Sequence, residues 1–273
     1  GHIHSLIRGF DYPLLGPGMM WERFRETLEQ QGGEVLLESE TLRLEHDGRQ
    51  VTQMFVRRGK EHLQVTADHF LSTMPLAELI ASLDPPPPGN ILEAAQGLKQ
   101  RDFMLVGLIV RRTDLFPDNW LYLHSPEVKA GRIQNFKNWS PAMVSDSDKT
   151  SLGVEYFCSR GDPLWNRSDE QLIRLATEEI VRLGLAAEQE VEDGVVIRQL
   201  NAYPVYDAGY QQRLALLRDY LEGFENLQTL GRGGLHRYNN QDHSMLTGLL
   251  AARNVFGEKQ DVWNVNTDRS CYE

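Results

Sequence analysis

Apolar residues recur in this chain with two different periods. From Pro17 a helical spacing carries Met19, Met20, Phe24 and Leu28 on one face, with Gly32-Gly33 as its stop. The pattern then changes to alternation. Glu34–Leu44, Gln50–Arg58 and Glu61–Asp68 read as three strands, with Asp47-Gly48 and Gly59-Lys60 as turns, so a three-stranded meander is predicted. His69-Phe-Leu-Ser-Thr-Met-Pro75 is a short apolar strand of the buried parallel kind, followed by a short helix from Leu76 to Leu83. Pro85–Pro88 and Gly89 form a stiff run, which is read as the clearest domain boundary.

Beyond that run the chain reads mostly as strands. Phe103–Val110 is continuously apolar. Trp120–His124, Arg132–Trp139 and Leu152–Cys158 follow, separated by Pro, Asp and Ser clusters. Ser168, with Glu170 and Gln171 close behind, opens a helix to about Leu183. Its apolar face is Leu172, Ile173, Leu175, Ile180, Val181 and Leu183. Val195–Leu200 is another strand, Gly209–Leu221 a helix. Leu227–Leu230 is a last buried strand that meets Gly231-Arg232-Gly233-Gly234, a polar segment, and a final helix ending near Phe256-Gly257.

Composition narrows the class. The 273 residues suffice for one large domain or two modest ones, with 41% hydrophobic and 25% charged residues. A net charge of −11 argues against a general nucleic-acid binder. No apolar run approaches the roughly 20 residues a membrane span needs. Cys158 and Cys271 are too few for a disulfide framework and are read as incidental, which makes the cytoplasm the default location.

The chemistry concentrates at Gly231–Met245. Glycines let a backbone approach a ligand, and a helix N-terminus offers free N–H groups and the positive dipole end to an anion. Arg232 adds a guanidinium fork suited to phosphate. Asn239, Asn240, Gln241 and Asp242 place polar side chains just before the helix, more than capping requires. A plain tight turn remains the competing reading of the glycines. His236, Asp242 and His243 match no compact metal-ligand spacing, so no metal is expected.

The segment resembles the C-terminal flavin-binding motif of the superfamily that holds UDP-galactopyranose mutase, protoporphyrinogen oxidase and the flavin amine oxidases. Gly231, Arg232 and Gly234 match the mutases' Gly-Arg-x-Gly turn, and Arg237-Tyr238 their basic-Tyr step. By that resemblance Gly231, Arg232, Gly233, Gly234, Tyr238, Asn240, Gln241 and Asp242 would bind FAD, and Arg232, Tyr203 and Tyr238 the substrate. Asn240 stands where the mutases carry an acidic residue. Ala202–Asp207 resembles their Tyr-Pro-Val segment, with Tyr203 on the substrate cleft. Tyr12–Trp21 and Leu71–Pro75 resemble two further superfamily segments.

The resemblance implies an α/β (α+β) fold. A partial FAD-binding domain of the glutathione-reductase-like type would take residues 1–84 and return at 206–273. A mixed-sheet substrate domain flanked by helices would take residues 85–205. The N-terminal dinucleotide fingerprint Gly-x-Gly-x-x-Gly is missing: neither Gly16-Pro17-Gly18 nor Gly231-Arg232-Gly233-Gly234 meets its spacing. With Gly1-His2 opening the sequence in place of Met, the chain reads as the latter part of a flavoprotein lacking roughly 200 residues, one domain's worth. FAD is then expected in the parent but not held by this piece. The strands at Phe70–Met74 and Leu227–Leu230 would then lack their usual parallel neighbours, which would favour self-association or a disordered cofactor-side region. The function implied is that of a flavin-dependent oxidoreductase or nucleotide-sugar mutase, acting on a small molecule and inactive as a fragment. The alternative is a non-catalytic nucleotide-sugar or carbohydrate-binding module, with Trp120, Tyr122, Trp139 and Tyr156 available for stacking.

Overall fold

A computed structural model describes residues 11–267. Cys271 and the opening Gly1-His2 lie outside the described residues. Among the described residues the order opens with α1 (Pro17–Gln30), β1 (Ser39–His46), β2 (Val51–Arg58), β3 (Glu61–Val65), β4 (Phe70–Ser72), α2 (Leu76–Ala81), β5 (Leu83–Asp84) and α3 (Gly89–Gln96). It continues with β6 (Lys99–Val110), β7 (Trp120–Tyr122), β8 (Arg132–Asn135), α4 (Phe136–Trp139), β9 (Thr150–Cys158), α5 (Asp169–Arg182) and β10 (Val191–Val205). It closes with α6 (Tyr210–Leu221), β11 (Leu227–Thr229), α7 (Gly231–Gly234) and α8 (Gln241–Val255). No helix among the described residues is long and apolar enough to cross a membrane.

These elements form two compact units. The first comprises Leu36–Gln100 and residues 203–267, the second residues 11–35 and Arg101–Ala202.

In the first unit β1, β2 and β3 form the expected antiparallel meander, with β5 added parallel to β1. β4 and β11 form a separate two-stranded parallel sheet, with Leu227 beside Phe70 and Thr229 beside Ser72. The two strands expected to lack parallel neighbours therefore pair with each other. Leu76, Leu79 and Ile80 of α2, Ile91, Ala94 and Ala95 of α3, and Leu217 and Leu221 of α6 bury against Leu44, Phe70 and Leu227. Burial of each such large aliphatic side chain stabilises the unit by about 1.5–3 kcal/mol. The proline run is therefore not where the units divide. α3 follows it directly and packs into the same core as α2, and the chain leaves the unit only after Gln100.

The second unit is built on a five-stranded sheet ordered β10-β6-β9-β8-β7. β6 alternates strictly, with Met104, Val106, Leu108 and Val110 fully buried. These residues, with Leu152, Val154 and Tyr156 of β9, pack on Leu172, Ala176 and Ile180 of α5. α5 starts where its sequence signal placed it: the Ser168 side chain accepts the Gln171 N–H, and the Gln171 side chain accepts the Ser168 N–H. Beneath α5, the buried Glu179 carboxylate accepts hydrogen bonds from the Lys129 N–H (2.6 Å), the Ala130 N–H (3.2 Å) and the Tyr156 hydroxyl (2.9 Å).

Two local expectations differ from what is observed. Residues 136–139 form the one-turn helix α4 instead of extending the strand from Arg132. α1 forms as expected, with Pro17 in its first turn, but it buries none of its residues: Met19, Phe24 and Leu28 are exposed.

Candidate functional site

The Gly231–Gly234 segment is a single helical turn, α7, and not an open glycine loop. Its glycines are required by the protein's own packing. Gly231 sits at φ +76°, where only glycine is unstrained. A Cβ on Gly234 would lie 2.4 Å from the Thr229 hydroxyl oxygen and 2.9 Å from the Ser72 carbonyl oxygen, and one on Gly233 would lie 3.0 Å from the Thr73 carbonyl oxygen. The close approach bought by these glycines is thus between α7 and the end of β4. The Thr229 hydroxyl donates to Gly234 C=O (2.8 Å), and the Gly231 N–H donates to the Thr247 hydroxyl on α8 (3.0 Å).

Arg232 projects from this turn into a group of aromatic rings. Its guanidinium carbon lies 4.7 Å from the Tyr238 ring centroid and 5.3 Å from that of Tyr203. The two tyrosines stack at 5.7 Å with planes 17° apart. Arg232 Nε donates to the Asn239 carbonyl (2.8 Å), which closes the segment back on itself. Arg232, Tyr203 and Tyr238, expected together from the sequence, are therefore brought together.

Below them lies a layer the sequence did not single out. The Tyr206 hydroxyl accepts the Tyr238 N–H at 2.7 Å, and its ring meets His236 edge-on with centroids 6.3 Å apart. His236 is buried, and its Nε2 has no hydrogen-bond partner. Burial pushes its pKa below the usual range, opposed by the Val205 backbone and reinforced by Arg213. Burial likewise pushes the Tyr206 phenol up. Composition alone gave no signal for either role, and His236 adopts a left-handed backbone (φ 45°).

The four polar residues before α8 have separate tasks. Asn239 is buried; its Nδ2 donates to Gly231 C=O (3.4 Å) and its Oδ1 accepts from Asn266 (3.1 Å). Asn240 is the N-cap, its N–H donating to His243 Nδ1 (3.4 Å). Gln241 and Asp242 are exposed on the first turn. Asp242 meets His243 at 3.2 Å, and no cluster that could hold a metal ion occurs among the described residues. A cofactor is thus offered Gln241, Asp242, the exposed Tyr238 and the N-terminal end of α8. The glycine turn itself is filled by the Ser72–Pro75 backbone. This set fits the polar edge of a ring system, and the chain contains no Gly-x-Gly-x-x-Gly fingerprint for a dinucleotide.

The second unit carries a separate aromatic tier on the sheet face opposite α5. Trp139 stacks between Tyr12 (5.1 Å) and Trp120 (5.2 Å, planes 11° apart), and Tyr122 meets Trp120 edge-on at 6.5 Å. Tyr122 is 61% exposed and Trp120 40%. A polar chain runs beside them: Trp139 Nε1 donates to Gln134 (2.9 Å), Gln134 to Glu155 (2.9 Å), and Arg132 Nη2 lies 2.6 Å from Glu155. Burial alone would lower the Arg132 pKa, but the Glu155 carboxylate outweighs it and leaves the guanidinium above its ordinary range. Tyr156, expected among the stacking candidates, is fully buried in the core, bonded to Glu179, and unavailable to a ligand.

Comparison with known proteins gives a likeness of fold. No protein-family model matches the chain, and no curated protein matches. Among solved structures, reduced UDP-galactopyranose mutase superposes with a TM-score of 0.81 at 20% identity, over 94% of this chain and 55% of the mutase. Putrescine oxidase bound to putrescine superposes at 0.60 and 16% identity, over 89% of this chain and 53% of the oxidase. Cyclohexylamine oxidase from Brevibacterium oxydans gives 0.56 at 14% identity, over 82% and 48%. The chain spans about half the length of each of these proteins. It shares with them a mixed α/β fold of several sheets flanked by helices.

Proposed function

We propose that this chain supplies part of an FAD-dependent oxidoreductase or nucleotide-sugar mutase of the UDP-galactopyranose mutase kind, and that it is inactive by itself. The observation that supports this reading is the Arg232 guanidinium set against Tyr203 and Tyr238. Two rings and the Asn239 carbonyl fix the plane of a cation that matches phosphate oxygens in geometry and charge. Arg232, Tyr203 and Tyr238 would hold the substrate. Tyr238, Asn240, Gln241 and Asp242 would meet the polar edge of the flavin. Gly231, Gly233 and Gly234 would serve both by holding α7 against β4. When bound, FAD would supply the redox or nucleophilic chemistry, and this chain orientation and charge. Relatives of about twice this length leave room for further cofactor contacts outside the chain. The test is the absorbance of the full-length parent protein purified with FAD: a protein-bound yellow species that turns over a UDP-sugar or an amine supports the reading, and a colourless protein that takes up no flavin refutes it.

The aromatic tier supports a second reading, a carbohydrate-binding module without catalysis. Exposed Trp120 and Tyr122 beside Arg132 combine ring faces for stacking with hydrogen-bond donors. Calorimetric titration with galactose and with UDP-galactose separates the readings. Binding that needs no flavin and is lost in Trp120→Ala favours the module.

A further inference from the structure

After α8 the chain returns to the Arg232 motif along residues 261–267. The Asp261 side chain accepts the Trp263 N–H (3.0 Å) and starts a 3-10 turn over Val262–Asn264. Val262 is buried with Leu230, Leu235 and Ala251, and Val265 is buried as well. The Thr267 hydroxyl donates to Asn264 C=O (3.2 Å) and closes the segment on itself. Between these anchors Asn266 stands at φ 56°, a left-handed backbone that asparagine tolerates better than most side chains.

The Asn266 side chain bonds twice, and both bonds go to the candidate site. Its Nδ2 donates to Tyr238 C=O (3.0 Å) and to Asn239 Oδ1 (3.1 Å). Asn239 passes the hold on: its C=O accepts Arg232 Nε (2.8 Å), and its Nδ2 donates to Gly231 C=O (3.4 Å). Arg237 ties the two segments a second time, its Nη1 donating to Val265 C=O (2.8 Å). Asn239 is 1% exposed, so bulk water does not replace the hydrogen that Asn266 gives its Oδ1. The two acceptors need one nitrogen carrying two hydrogens, which a carboxylate of the same shape lacks. One side chain thus holds Tyr238 by its backbone and, through Asn239, the Arg232 guanidinium.

We propose that Asn266 is a positioning residue for the Arg232 site. Its amide sets the placing of Tyr238 and Asn239, and Asn239 sets that of the guanidinium offered to phosphate oxygens. The proposal rests on the reading of Arg232, Tyr203 and Tyr238 as substrate-holding residues. Asn266 touches no substrate itself. Its loss is expected to weaken binding without opening the fold, because Val262 and Val265 keep the segment anchored.

The test uses the whole chain in two variants. Asn266→Asp keeps the shape and removes both donor hydrogens. Asn266→Gly keeps the left-handed backbone without strain and removes the side chain, so it carries the test should the carboxylate prevent folding. Hydrogen exchange by NMR is followed first without ligand. The Arg232 Nε–H is expected to exchange roughly tenfold faster in both variants, and the Tyr203–Tyr238 ring contacts in NOE spectra to weaken, while the buried Leu79 and Ile80 amides of α2 keep wild-type protection. UDP-galactose is then titrated into each protein, and Kd is expected to rise about fivefold or more in the variants. Wild-type protein that takes up no UDP-galactose would refute the substrate reading, and the ligand-free exchange alone would then judge the role of Asn266. Unchanged exchange at Arg232, acceleration shared equally by Leu79 and Ile80, or wild-type affinity in a variant whose Arg232 exchange has changed would each overturn the proposal.

Discussion

Tyr206 holds Tyr238 by its backbone: the phenol oxygen accepts the Tyr238 N–H at 2.7 Å while the Tyr206 ring packs edge-on against buried His236. Tyr238 is thereby fixed against Tyr203 and Arg232 from beneath. Tyr206→Phe removes the acceptor and keeps the ring. The expected cost is about 1 kcal/mol of stability, with faster amide exchange at Tyr238. Unchanged exchange at Tyr238 would show that the bond does not position the ring pair.

His236 gives the fold a pH dependence. Its pKa is depressed by burial, so the native state keeps it neutral where the unfolded state already binds a proton. The groups facing it are the Val205 carbonyl, the Tyr206 ring, Asp207 and Arg213. Its contribution is complete above the unfolded value of about 6.5 and falls away as pH drops below that toward the native value. Urea melts between about pH 5 and 7.5 should show stability falling on the acid side. In His236→Asn, which tolerates the left-handed backbone, that slope should flatten.

The α7 glycines are expected to divide sharply from others in the chain. Gly234→Ala places a methyl group against the Thr229 hydroxyl and Ser72 carbonyl, so a loss of more than about 2 kcal/mol is expected from overpacking. Gly18 lies in α1 with nothing near its Cβ position. There Gly18→Ala should stabilise by about 0.5–1 kcal/mol. Thermal denaturation of the two variants checks both signs.

The outer edge of β4 is open to a second copy, since Leu71 is 44% exposed. Concentration-dependent association is expected in sedimentation velocity. Leu71→Lys is expected to suppress it by placing a charge on the edge. Association that survives this change would point to another surface, such as the exposed apolar residues of α1.

Much of the architecture was legible because the relevant signals are local. Ser168 and Gln171 define the start of α5 by their own reciprocal hydrogen bonds. The turns at Asp47-Gly48 and Gly59-Lys60 fix the meander. What was not legible depends on residues far apart in sequence. The Gly231–Gly234 turn read as a place for a ligand to approach, because nothing near it in sequence reveals that Ser72–Pro75 fills that space. The proline run read as a boundary, because α3's burial beside α2 is a tertiary fact. Arg132–Trp139 read as one strand because its aromatic content favours extension. The one-turn helix α4 places Trp139 where it stacks on Tyr12 and Trp120. The Arg232–Tyr203–Tyr238 grouping was foreseen by family likeness, while the Tyr206–His236 layer beneath it was not.

The central claim is that Arg232, beside the stacked Tyr203–Tyr238 pair, receives the phosphates of a nucleotide sugar. The direct measurement is a two-dimensional NMR titration of this chain with UDP-galactose, in wild type and in Arg232→Ala. The account predicts saturable shifts at Arg232, Tyr203 and Tyr238 that Arg232→Ala abolishes while its spectrum remains that of a folded protein. Absence of shifts at these three residues, or equal shifts in the variant, would contradict it.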